Sequence, residues 1–88
     1  MRHARSEALD ELEDVLSRVR AFEGLTERKR GTFYRKSSAF LHFHDDSAGL
    51  FADVRVGKDW QRFRVSTVEE RALMLTCVDG ELRGQPQT

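Results

Sequence analysis

The chain has one cysteine among its 88 residues, which excludes an internal disulfide framework and a Cys-rich zinc site. It has no excess of either charge. Its 15 Lys and Arg stand against 15 Asp and Glu, which argues against a histone-like or polybasic nucleic-acid binder. No apolar run approaches the roughly 18 residues that span a bilayer. The pattern of a secretory leader is also missing, so the expectation is a cytoplasmic protein without membrane contact. G-x-S-x-G, P-loop, H-E-x-x-H and G-x-G-x-x-G motifs do not occur, and neither do repeats, linkers or low-complexity tracts. What remains is a chain with 39% hydrophobic and 34% charged residues. That composition suits one thinly cored domain over 1–88, with an ordered core at about 6–80 and a polar tail at 81–88.

After a frayed start, apolar residues fall at Ala8, Leu9, Leu12, Val15, Leu16, Val19 and Phe22. This three-and-four spacing makes one broad helical stripe. Ser6 is the expected N-cap, acids fill the early turns, and Gly24 is the expected stop. The polar stretch 25–30 reads as a connection. Four strands are expected at 32–36, 39–45, 50–56 and 60–65, separated by short connectors that permit only antiparallel hairpins. A second helix is expected from Val68 to about Val78, opened by a Thr67/Glu70 capping box and closed by Asp79-Gly80. Leu73, Met74 and Cys77 widen its apolar surface. They are expected to pack on the first helix, with a partner surface as the alternative, and Cys77 reads as a small buried hydrophobe.

Strand alternation fixes the register. Leu41 and Phe43 must share a face with Ala52 and Val54, because a one-residue slip would bury the charges. A loop over 46–49 achieves this with Asp45 opposite Leu50. A two-residue Gly57-Lys58 turn then pairs Val56 with Asp59, whereas a three-residue loop would drive Arg62 and Arg64 into the core. The expected fold is α+β, in the order α-β-β-β-β-α, an antiparallel meander of about four strands with two helices on one face. Its uncovered face should carry three cross-strand rows: Phe40–Arg55–Trp60, His42–Asp53–Arg62 and His44–Phe51–Arg64.

These rows hold the candidate site. Phe40, Phe51 and Trp60, interleaved with Arg55, Arg62 and Arg64, are the residue types that anchor interfaces. The leading expectation is therefore a non-enzymatic binding or scaffolding domain that forms a homodimer through this face, with no cofactor. A second reading places a metal or small hydrolytic site at His42, His44 and Asp53. Two histidines leave such a shell incomplete, and a small sheet face offers no obvious pocket. A third reading uses Arg28, Lys29 and Arg30 with the sheet arginines to bind nucleic acid, since bases stack on sheet aromatics. The chain does not disclose a small-molecule ligand.

The segments G-T-F-Y-R-K, F-L-H-F-H-D-D, G-L-F-A-D-V-R, R-F-R-V and T-V-E-E-R, spanning about 31–71, resemble small uncharacterised bacterial proteins of actinobacterial type. That resemblance implies a compact α+β fold and carries no established activity. In the order of its hydrophobic strands alone, the chain is also similar to the MmcQ/YjbR-type double-wing proteins, for which DNA binding has been suggested. It is shorter than they are and shares no motif that transfers residue by residue.

Overall fold

The computed structural model describes residues 2–84. In chain order these form β1 (Arg2–His3), α1 (Ser6–Glu11), α2 (Glu13–Arg20), β2 (Leu25–Lys29), β3 (Thr32–Arg35), β4 (Ser38–Asp46), β5 (Gly49–Val56), β6 (Asp59–Arg64) and α3 (Val68–Leu82). The fold is α+β with an antiparallel sheet ordered β2-β3-β4-β5-β6, and β1 pairs with β4 beyond the end of β3.

The two central hairpins have the expected register. Asp45 faces Leu50, Leu41 faces Val54, Val56 faces Asp59 and Ala52 faces Phe63. Gly57 takes φ 61 and Lys58 does not take a positive φ, as a type II′ turn requires. Leu41, Phe43, Ala52, Val54 and Val65 then form one buried cluster with Leu12, Leu16 and Val19 of the N-terminal helical region and Met74 and Val78 of α3. The helical layer thus covers one face of the sheet.

Five local expectations are corrected. The polar stretch 25–30 contains a strand, β2, paired with β3. Its inward Glu27 is satisfied by ions rather than by packing: Arg20 Nε donates to it at 2.7 Å and Gly31 N–H at 3.0 Å. The first helix is divided at Leu12 (φ −92, ψ 6), whose N–H is shared between the Ala8 and Leu9 carbonyls. Arg5, not Ser6, is its N-cap and has no side-chain cap. The Asp45 carboxylate, itself buried, instead accepts from Arg5 N–H at 2.9 Å and from Arg2 Nε at 2.9 Å. This ties the segment expected to fray onto β4. Finally, α3 runs through Asp79-Gly80 to Leu82, because Gly80 is buried within the helix and is not its terminator. The tail at 85–88 lies outside the described residues.

The start of α3 is as expected. Thr67 Oγ1 accepts from Glu70 N–H at 3.1 Å while the Glu70 carboxylate accepts from Thr67 N–H at 3.0 Å. Met74 and Cys77 are buried, but Leu73 is 65% exposed and does not pack on the first helix.

A β-bulge makes the largest change to the expected site. Phe33 pairs with Leu41 and the next residue, Tyr34, pairs with Ala39, which leaves Phe40 as the extra residue on β4. A bulge interrupts strict alternation. Phe40 therefore joins the buried core at 3% exposure instead of standing on the uncovered face, and Ala39 stands beside Tyr34.

Candidate functional site

The uncovered sheet face is assembled by pairing alone. One row crosses five strands as Lys29–Thr32–His42–Asp53–Arg62, and a second runs His3–His44–Phe51–Arg64. Toward the other end of the strands, Thr26 pairs with Tyr34, Tyr34 with Ala39, and Arg55 with Trp60. Of the expected rows, the two centred on Asp53 and Phe51 are present. The row through Phe40 is replaced by Arg55–Trp60 beside Ala39.

Three guanidinium groups lie over aromatic rings on this face. Arg28 sits 4.2 Å from the Tyr34 centroid, Arg64 5.0 Å from Phe51 and Arg55 5.5 Å from Trp60. These are cation–π distances. Phe51 is covered to 7% exposure, so it is not part of an open apolar patch as the sequence reading expected, while Trp60 remains 41% exposed. The Arg28–Tyr34 pair lies outside the expected rows, because the polar stretch 25–30 shows no strand alternation. A second bulge, between Glu27 and Lys29, places Arg28 there. The signal was present in the sequence: Tyr34 stands two residues from Thr32, on the parity that faces His42.

Around Asp53 the contacts differ from the expected His42–Asp53 pair. Arg62 grips the carboxylate with two bonds, Nε to Oδ1 at 2.8 Å and Nη2 to Oδ2 at 2.9 Å. That grip holds the Asp53 carboxyl below its ordinary pKa despite partial burial. The imidazole that approaches it is the diagonal one, His44, with Nε2 3.2 Å from Oδ2. The approach is off the hydrogen-bonding direction, and Nε2 makes no directed hydrogen bond. His44 Nδ1 lies 3.2 Å from the Arg2 carbonyl, which can only accept, so Nδ1 carries the proton. Both nitrogens of His44 are thus turned into the protein.

His42 lies against Trp60, with ring centroids 5.0 Å apart, and edge-on to His44 at 6.0 Å. Burial, followed by the neighbouring His44, pushes its pKa below the ordinary value. His3 is shifted the same way, by burial and then by Lys29. The chain's three histidines therefore share one patch, fixed by Arg30 carbonyl and Thr32 contacts to His3. Among the described residues no group of three or more His, Cys, Asp or Glu is placed to hold a metal ion.

The face is positively charged although the chain is neutral. Arg28, Lys29, Arg55, Arg62 and Arg64 stand on it with Asp53 and, at the end of β4, Asp46; Asp53 is occupied by Arg62. Arg30, the third member of the expected basic patch, turns away to Asp10 and Glu13 at 2.9 Å each. Asp10 and Glu13 of the helical layer are thus paired locally. Two clefts lie off the centre of the face. A groove of about 540 Å3 opens between α2 and α3, lined by Val15, Phe22, Val68, Ala72 and Leu75 among others. A cleft of about 360 Å3 lies at the β3–β4 turn, lined by Arg35, Lys36, Ala39, Phe40 and Arg55 and, from α3, by Glu81, whose carbonyl accepts from Arg35. No protein-family model matches the chain, and no curated protein or solved structure matches it either.

Proposed function

We propose that this protein is a non-enzymatic binding domain whose uncovered sheet face receives an anionic partner. The observation that carries the reading is the set of three arginines stacked on three aromatic residues, on a face whose central acid, Asp53, is already bound by Arg62. Stacking holds each guanidinium in place; Arg55 Nε and Arg64 Nη2 each donate to a backbone carbonyl, of Gly57 and Ala48 respectively, and the remaining N–H groups of the fork can meet carboxylate or phosphate. The chemistry of the histidines supports binding rather than turnover: His44 points both nitrogens inward, and His42 is packed on Trp60 with no orienting carboxylate. The charge also bears on self-association. Two copies meeting face to face would oppose Arg28, Lys29, Arg55 and Arg62 to the same residues, and like charges across an interface are costly.

The test is a nuclear magnetic resonance titration with inorganic polyphosphate, combined with light scattering. Shifts centred on the Trp60 indole and the arginine Nε–H groups of the face are expected, from a monomeric protein. Shifts centred on the α2–α3 groove, or none, would refute the reading. A stable dimer in which Trp60 is shielded from acrylamide would replace it with self-association.

A further inference from the structure

Resting on that reading of the sheet face, we infer that its partner is single-stranded nucleic acid, lying across the sheet from the Arg28–Tyr34 pair to the Arg55–Trp60 pair. Tyr34 stands on β3 and Trp60 on β6, three strand spacings or about 14 Å apart. Between them the face drops to the small side chain of Ala39, which borders the cleft lined by Arg35, Lys36 and Arg55 and, on its helical side, by Glu81. The path therefore offers the half-buried Tyr34 ring under Arg28, a depression with Lys36 and Arg55 at its rim, and the exposed Trp60 ring in turn. Phosphates suit the Lys36 and Arg55 rim of the depression, away from Glu81. Unpaired bases suit the rings, because every base has a π-face that stacks on aromatic or guanidinium planes. His42 adds a further ring at 5.0 Å from Trp60.

An acidic peptide would match the arginines and leave the exposed Trp60 ring, with His42 beside it, unstacked by the partner. A duplex hides its bases and presents grooves that admit a helix or a narrow ribbon, not a broad sheet. The chain's overall neutrality does not oppose the inference. Acids of the helical layer are held there by Arg20 and Arg30, and the field that a strand meets is that of the sheet.

Trp60 is the chain's one tryptophan, so its fluorescence reports this surface alone. The intact protein is titrated in low salt with a twelve-nucleotide thymidine oligomer, the matching duplex and a polyglutamate of equal charge. Saturable quenching by the single strand is expected, with log K falling against log salt by about 0.7 per cation engaged, so a slope near −2 for three contacts. In an anisotropy assay with labelled oligomer, Trp60→Ala is expected to weaken binding about five- to a hundred-fold. Arg55→Ala weakens it too and lowers the slope by about 0.7. Both substitutions lie at the surface, and thermal melts confirm the fold. Equal or tighter binding of polyglutamate or duplex overturns this inference while the anionic-partner reading stands. No binding of any of the three overturns both.

Discussion

Replacing Phe40 by alanine tests the bulge that reshapes the face. Strict alternation would put Phe40 on the uncovered side, where substitutions cost within about 0.5 kcal/mol. The bulge instead places it in the core at 3% exposure. A phenylalanine buries roughly 150–250 Å2, and truncating one in a packed core costs about 3–5 kcal/mol. A chain of 88 residues has about 4–13 kcal/mol of stability in total, at about 0.05–0.15 kcal/mol per residue. The variant should therefore be close to unfolding at 37 °C. In urea, with a slope of about 1.5 kcal/mol per molar, the midpoint should fall by about 2–3 M, followed through Trp60 fluorescence. If Phe40→Ala does not fold at all, Phe40→Leu supplies the measurement with a loss of about 1 kcal/mol. Ala39→Ser, on the uncovered face, should stay within about 0.5 kcal/mol of the parent. A Phe40→Ala loss below about 1 kcal/mol would refute the buried placement and restore Phe40 to the face.

Gly31 takes φ +83, and a Cβ there would come within 2.6 Å of Leu9 Cδ2. Gly31→Ala should cost about 1–2 kcal/mol for the left-handed backbone and about 1–3 kcal/mol for overpacking, read as a lowered melting temperature. Thr67→Ala removes the capping hydroxyl of α3 and should cost about 0.5–2 kcal/mol by urea denaturation. Stability should also fall with acid in two stages. His42 and His3 have lowered pKa values in the fold, so the unfolded chain binds protons first. Their contribution is full above the ordinary histidine pKa of about 6.5 and is lost as pH falls from there toward the folded values. Asp53 and Asp45 are lowered by Arg62 and by the Arg5 N–H respectively, so their contribution is complete above about pH 4 and is lost as pH falls through the folded values. His42→Gln should flatten the first stage and leave the second. An unchanged slope between about pH 7 and pH 5 in that variant would count against the histidine assignment.

The central sheet was legible because burial of charge leaves few registers open. A slip at Gly57-Lys58 would place Arg62 and Arg64 in the core, and the observed pairs Asp53–Arg62 and Phe51–Arg64 follow from avoiding it. The α3 capping box was legible for a similar reason, since it is a local hydrogen-bonding pattern. What escaped was decided by distant partners. Nothing within 25–29 alternates in hydrophobicity, and Glu27 faces inward only because Arg20, on another element, neutralises it. The strand at Arg2–His3 depends on an aspartate 43 residues away. The bulge at Phe40 adds one residue to a pairing, and alternation cannot register an insertion that it assumes to be absent. At the candidate site this moved one aromatic residue into the core and set Ala39 beside Tyr34 in its place.

The Asp45 carboxylate joins residues separated by 43 and 40 positions, whereas the sheet from β2 to β6 is built from successive hairpins. Assembly should therefore run inward to outward in time: hairpins zip first over short loops, and the leading segment closes last. The same order reversed describes how the molecule opens. Amides of Ala4 and Arg5 should exchange with solvent well before those of Leu41 and Val54, which makes the leading segment a separable piece in an otherwise cooperative domain.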